Sequence, residues 1–442
     1  MTELFDANLQ IIASRWPALA QVLSTQDVSG LDATLTEGRT QTISINGIQL
    51  SSRHNRVAEV RLLLSTVPED ATELTLFGSG MGDLPEFALE RSALKSLTLV
   101  LMNPAIFCLL CHYCDYSKWL ADPRLELTSS HHAHQLPEHF IAMIADLKLC
   151  SDAMAPLRDN LLRELNRSHT NRKHLASDEL LLSRFKANEA FLVSDPSAAK
   201  LKPGKSCQHV LVIGAGPSLE EDYATLAKLQ AAGKAALIIA VDTAMKGLVS
   251  HGVQPDIVVS IDKLIGAYHL PLEHSADSAL VYFPGLDTAL LSQWQGPRYS
   301  ALGTSASYDT LASQYALPRL FCGGSVVHPA VDLACRLGAK EITLLGCDFC
   351  FCDNKSHAFW HGHPQSDETG KAWSATVKQQ VESADHWVIN GRGERVNTLL
   401  NLSTYLRALE RFIAANSAVS FYRASQSGAM IEGTTWRPLA HD

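Results

Sequence analysis

Two windows of this 442-residue chain share one pattern of apolar and polar positions. Residues 208–222 read QHVLVIGAGPSLEED: a near-continuous apolar run, a Gly-Ala-Gly-Pro-Ser turn, then acidic positions. Such a run predicts a strand buried on both faces, as in a parallel sheet. Pro217 fits the first position of a following helix, and Glu220, Glu221 and Asp222 suit its first turn. Gly214 and Gly216 can adopt positive φ and let a ligand approach the backbone. The unpaired N–H groups of a first helical turn attract anions, which makes Gly214, Ala215, Gly216, Pro217 and Ser218 a candidate phosphate cradle. A tight strand-to-helix connection with no ligand has the same signature. Residues 71–90, ATELTLFGSGMGDLPEFALE, repeat this grammar, and LKSLTLVLMNP supplies a second strand.

The rest of the patterning divides the chain into four spans. Residues 1–70 mix short amphipathic pieces with a probable hairpin, ISINGIQLSS, turned by Asn46-Gly47. Residues 71–135 form a degenerate Rossmann-like unit. Its turn Gly78-Ser79-Gly80-Met81-Gly82 resembles the nucleotide loop of methyltransferases, but Asn103 stands where their second strand ends in an acidic residue, which favours a structural domain. Residues 136–202 change to helical periodicity in IAMIADLKL and DELLLSRFKANEAFL and end in a Pro-, Ser- and Lys-rich linker, so they read as a helical bridge. From 203 to 442, HVLVIG, ALIIAVD, DIVVSID, ALVYFP, RYSALG and EITLLGCDF read as strands with helices between several of them. The expected fold class is α/β, two Rossmann-like doubly wound units joined by a helical bridge.

Composition narrows the partners. An apolar content of 46% is ample for two or three cores, and a net charge of −9 argues against nucleic acid and against a polybasic membrane anchor. With no signal peptide and no apolar window long enough to span a bilayer, the expectation is a cytoplasmic protein whose partners are small anions or proteins. The ten cysteines are scattered rather than framed, which favours reduced thiols. Cys108, Cys111 and Cys114 at three-residue spacing suit one side of a helix. Cys347, Cys350 and Cys352 precede His357, His361 and His363 but lack paired zinc-ligand spacings. His131, His132 and His134 read as a solvated loop.

Candidate chemistry gathers at strand ends, where parallel sheets bind ligands. Asp242 and Thr243 follow the second strand of the C-terminal span, Asp262 the third, Thr304 and Ser305 a later one, and Asp348 another. Each by itself is a common helix cap. Gly323, Gly324 and Ser325 add a second glycine turn before a helix, again a place for amides to meet a phosphate.

GAGPSL, the DTA and PDIVVSID pair, GGSVVHPAVDLACRLGAKEITLLGCDF and KSHA together resemble the MptE-like domain of motility accessory factors, the flagellin glycosyltransferases. They are also similar to bacterial lipooligosaccharide sialyltransferases. NGRGERVNT and SQSGAMIEGT extend the resemblance over roughly Pro203 to Leu439. It implies transfer of a nonulosonic acid, pseudaminic or legionaminic, from a CMP-sugar to Ser/Thr of flagellin or another acceptor protein. It further implies His357 as base, with His361 and His363 in reserve, and no cofactor beyond the donor. Asp242 and Asp262 would hold ribose or cytosine, although the sialyltransferases tend to carry Asn there. An archaeal pterin pyrophosphokinase shares the front of the pattern. In that reading the paired carboxylates bind magnesium, and a non-catalytic nucleotide-binding protein is a third reading. Only TWRPLAHD follows the IEGT block, where typical motility factors continue into a large helical region, which weakens the flagellin assignment.

Overall fold

The computed structural model describes residues 2–130, 136–166, 178–358 and 386–439, together with 379, 381 and 384. The chain divides into two compact units, Met1–Leu165 and Asn166–Asp442.

The first unit opens with helices Glu3–Arg15 and Pro17–Ser24, then β1 (Ala33–Thr36), β2 (Thr42–Ile45) and β3 (Ile48–Gln49). These three strands pair antiparallel, and Asn46 and Gly47 at φ 50° and 77° make the turn that an Asn-Gly pair favours. β4 (Glu73–Phe77), β5 (Ser96–Val100), β6 (Leu125–Thr128) and β7 (Phe140–Ala142) form a parallel sheet in the order β6-β5-β4-β7. Alternation through ELTL, SLTL and LELT sends one side chain in two into the core, and Phe77 and Val100 at the carboxyl ends of β4 and β5 are buried as well. The register lines up Leu74, Leu97 and Leu125 in one row and Ile141, Leu76, Leu99 and Leu127 in the next, all buried. β7 falls where IAMIADLKL was expected to be helical. A three-residue apolar stretch carries no usable periodicity, and pairing with β4 decides it, while the helix is confined to Ile144–Lys148. Asn103 caps helix Pro104–Cys111: its side chain accepts from the Ala105 amide at 3.1 Å and donates to the Leu149 carbonyl at 2.8 Å. Cys108 and Cys111 on that helix are buried in the unit's core, and Cys114 is half-buried. His131, His132 and His134 lie outside the described residues.

In the second unit β8 (His209–Ile213), β9 (Leu237–Val241), β10 (Ile257–Ser260), β11 (Ala279–Tyr282) and β12 (Arg298–Ser300) add outward in chain order. A short parallel pair, β13 (Leu302–Gly303) and β14 (Arg319–Leu320), follows. β15 (Glu341–Leu345) then returns to the other side of β8. After the hairpin β16 (His386–Ile389) and β17 (Arg395–Thr398), β18 (Ser420–Arg423) and β19 (Thr434–Trp436) complete an eight-stranded sheet, β12-β11-β10-β9-β8-β15-β18-β19. Every residue of β9 is buried, as its unbroken apolar run requires. β18 and β19 were not among the expected strands: SFYR and TTW are short, and only pairing beside β15 makes them strands. The sheet direction reverses between β8 and β15, the switch point at which an open α/β sheet leaves a crevice.

The span 136–202, read as a bridge, is divided between the two units. Helices Glu179–Ala187 and Glu189–Ser194 belong to the second, where the buried Asn188 amide donates to the Pro284 and Leu286 carbonyls at 2.8 and 2.7 Å. Among the described residues no helix is long and apolar enough to cross a membrane.

Candidate functional site

At the switch point of the second unit lies a cavity of about 300 Å³. Its wall draws on four strand ends: Ala215 and Gly216 after β8, Thr243 after β9, Asp262 after β10, and Gly346 to Cys350 after β15. Gly324 and Ser325, Ser356 and His357, and Tyr405 close it. Eight of the expected site residues therefore meet in one wall: Ala215, Gly216, Thr243, Asp262, Gly324, Ser325, Asp348 and His357. Gly214, Pro217, Ser218, Asp242, Thr304, Ser305 and Gly323 stand outside it. A larger cavity of about 360 Å³ in the first unit lies at the amino ends of β4 and β5, the end of a parallel sheet that does not bind ligands.

The first glycine turn is held by its own chain. The Gly214 amide donates to the Leu345 carbonyl at 2.8 Å and the Gly216 amide to the Gly346 carbonyl at 2.7 Å. Ser218 gives its amide (2.8 Å) and its hydroxyl (2.5 Å) to the two oxygens of Asp348. Neither glycine adopts the positive φ expected of it; Gly216 sits at −69°. Both are needed because of crowding. A methyl group on Gly214 would lie 2.5 Å from the Gly346 carbonyl oxygen, and one on Gly216 would lie 2.5 Å from Asp348 Oδ2. The close neighbour of this backbone is the loop after β15. Among the described residues nothing accepts from the Ala215 N–H, so the turn's open amide belongs to a residue that lines the cavity. Pro217 opens a short 3-10 helix, Pro217–Glu221, before the α-helix Tyr223–Ala231. Burial raises the pKa of Asp348 and the Ser218 hydrogen bonds oppose that shift.

The second glycine turn is organised by a histidine that sequence reasoning passed over. His328 is fully buried in helix Val327–Arg336. Its Nδ1 accepts from the Gly323 and Ser325 amides at 3.0 and 3.3 Å, and its Nε2–H donates to the Tyr405 carbonyl at 3.0 Å. Burial lowers its pKa to about 4, and a proton on Nδ1 would displace both amides. Gly324 needs its φ of 103° and its lack of a side chain, since a methyl there would strike the Tyr405 ring at Cε1. The amino end of the ten-residue helix is thereby turned into the cavity, with Gly324, Ser325, Val326 and Val327 in the wall. The only sequence signal was a lone histidine in the apolar run VVHPAV. Tyr405, from helix Leu400–Ala415, had none.

The remaining residues separate into wall and frame. Asp242 is fully buried: Ser260 donates to its Oδ2 at 2.8 Å and the Thr243 amide to its Oδ1 at 2.7 Å, which ties the end of β9 to that of β10. Burial pushes its pKa up to about 7. Asp262 is exposed and accepts from the Leu264 amide at 2.9 Å. The Thr304 hydroxyl accepts from the Cys322 amide at 3.3 Å, and the Ser305 carbonyl accepts from Arg319 at 2.9 Å, so both brace the ends of β13 and β14. His357 is half-buried, with Nδ1 3.2 Å from the Ser356 hydroxyl. Burial, then the neighbouring His269, lower its pKa below the ordinary imidazole value expected from sequence, so its neutral, proton-accepting form prevails at neutral pH. His361 and His363 lie outside the described residues. Cys347, Cys350 and Cys352 are buried, with the latter two sulfurs 3.9 Å apart. Among the described residues no group of three or more His, Cys, Asp or Glu is placed to hold a metal ion.

The glycine turn of the first unit, considered alone, faces protein on each side. The Ser79 and Gly80 amides each donate to Asp146 at 3.2 Å, and methyl groups on Gly78, Gly80 and Gly82 would strike Asp146, Met143 and Tyr116. Burial pushes Asp146 up to about 7.

A parallel α/β unit with a cavity at its switch point is an architecture that binds small molecules. Residues 183–354, somewhat under half of the chain, match the family described as 6-hydroxymethylpterin diphosphokinase MptE-like. The match and the motifs of the C-terminal span agree that this segment carries an MptE-like domain. No curated protein matches the chain. Among solved structures it is similar to the MAf glycosyltransferase from Magnetospirillum magneticum AMB-1, at 17% identity and a TM-score of 0.44, over 99% of this chain and 74% of that one. That likeness is too distant to carry fold or function.

Proposed function

We propose that the second unit is a glycosyltransferase that moves a nonulosonic acid from a CMP-sugar to the hydroxyl of Ser or Thr on an acceptor protein, flagellin being the first candidate. The observation that carries this reading is one cavity wall holding both a histidine kept neutral and the amino end of a buried-histidine-braced helix. In the reaction the acceptor oxygen attacks the anomeric carbon as the carbon–oxygen bond to the phosphate breaks, with inversion. His357 takes the hydroxyl proton, and CMP leaves with the bonding electron pair. The departing phosphate needs no strong acid if fixed amides stabilise its charge, and the Val326 end of helix Val327–Arg336 and the Ala215 N–H are suited to that.

The name of the matching family favours a second reading, ATP-dependent diphosphoryl transfer to a hydroxymethylpterin. That chemistry calls for magnesium. Of the wall's carboxylates Asp348 is committed to Ser218, which leaves Asp262 as a protein ligand. Titration calorimetry separates the two: CMP binding that survives a chelator is expected from the first, and magnesium-dependent ATP binding with no CMP binding would replace it by the second. Mass spectrometry of flagellin from a deletion strain tests the acceptor, because an unchanged set of glycoforms would exclude flagellin.

A further inference from the structure

Among the described residues the cavity wall contains two carboxylates, Asp262 and Asp348, and no lysine or arginine. At about 300 Å³ it sits at the lower limit of small-molecule sites, so a nucleotide-sugar filling it must extend past the wall. Among the described residues, three lysines lie on segments bordering it. Lys263 pairs with Asp178 and Lys355 with Glu220. Lys246 pairs with no carboxylate among the described residues. It lies on helix Asp242–Ser250, three positions after the wall residue Thr243 and so on the same face. Its ammonium sits 3.5 Å from the centre of the Tyr268 ring. Beside Tyr268 is His269, whose ring meets the Tyr268 ring edge-on at 5.2 Å. His269 Nδ1 is buried and has no hydrogen-bond partner among the described residues. A buried ring nitrogen without a partner costs free energy until something fills its bond.

We propose that Lys246 and His269 form the subsite for the carboxylate of the donor sugar. This rests on the glycosyltransferase reading, since a nonulosonic acid carries that carboxylate on its anomeric carbon, next to the bond that breaks. The ammonium and the imidazole Nδ1–H supply two donors to one planar anion. They lie on the β9 and β10 side of the cavity, away from the helix amino end assigned to the phosphate. Burial lowers the pKa of both groups, and the neighbouring Lys246 ammonium lowers that of His269 further. Such a pair gains most from an arriving anion. Glu273 and Asp262 are the nearby acids, and neither forms an ion pair with Lys246 among the described residues. The subsite selects acidic sugars over neutral ones on the same nucleotide.

The test compares binding of CMP-N-acetylneuraminic acid and of CMP by calorimetry in the wild type, Lys246→Met and His269→Gln, with circular dichroism confirming the fold of each variant. Expected is a loss of about tenfold in affinity for the CMP-sugar in either variant, the size of one charge-assisted hydrogen bond, with CMP affinity within about twofold. Equal losses for both ligands would assign Lys246 to the phosphate and overturn the proposal. Unchanged affinity for the CMP-sugar in both variants would overturn it too. A folded wild type that binds neither ligand would remove the glycosyltransferase reading, and this subsite with it.

Discussion

Two glycine turns in this chain follow the same rule and end differently. Each follows a parallel strand at a point where the strand order of its sheet reverses, and each gives backbone N–H to an aspartate, the half-buried Asp146 from two amides in the first unit and the buried Asp348 from one in the second. In the first, Asp146, Met143 and Tyr116 lie against the three glycines of the loop. In the second, the aspartate takes Ser218 and leaves Ala215 on a cavity whose other walls come from β15, helix Val327–Arg336 and the His357 loop. A glycine turn is thus a way of bringing two backbones close. Whether the second one is a ligand or the chain itself depends on what the distant strands supply.

The largest expected contrast is chemical. His357→Ala should lower transfer by about 10²- to 10⁴-fold, the range for a general base, while CMP affinity stays within about twofold. In the wild type kcat/KM should stay level through pH 7 and fall only below the ordinary histidine value of 6.5, because His357 is shifted downward. Undiminished transfer in the variant would remove His357 from the mechanism. No substitution in the 78–82 turn that leaves the fold intact should alter CMP binding, and calorimetry on Ser79→Ala checks this.

Gly216→Ala sharpens the comparison through stability. The added methyl meets Asp348 Oδ2 and the Gly346 backbone at 2.5 and 2.7 Å, neither free to retreat, so a loss of about 3 kcal/mol is expected in denaturant unfolding. Gly204→Ala, with nothing within 4 Å, should stay within about 0.5 kcal/mol. Equal midpoints for the two variants would contradict the crowding account.

Asp146 predicts a pH effect of comparable or smaller size. Its folded value of about 7 exceeds the ordinary 3.8, so the folded unit keeps a proton that the unfolded chain has released. Stability contributed at this position therefore falls as pH rises from about 4 to about 7. Asp146→Asn should flatten that slope, gaining relative to wild type as pH rises, by a few kcal/mol at most. Urea midpoints at pH 4.5 and 7.5 measure it, and a wild-type-like slope would mean that Asp146 is not held protonated. Smallest is Asn103→Ala, which removes the cap of helix Pro104–Cys111 and the bond to Leu149 for about 1 kcal/mol, with no change in nucleotide affinity.

The sequence by itself determined the central strands and the edge of the sheet at which chemistry gathers. HVLVI, LIIAV and EITLL can be little but buried parallel strands, because no other placement hides so long an apolar run without stranding its backbone. Polar residues at their carboxyl ends then fall on one edge by the geometry of parallel connections, and eight of the fifteen expected site residues do line the cavity. What only the tertiary structure decided is which of those groups is free. Asp242, Asp348, Gly214 and Gly216, read as ligands for a nucleotide, are also bonded to or packed against Ser260, Ser218 and the end of β15, in the last three cases partners about 130 residues away in the chain. Local sequence carries a side chain's chemistry. Whether its hydrogen bonds are already spent depends on contacts between segments that no local pattern encodes.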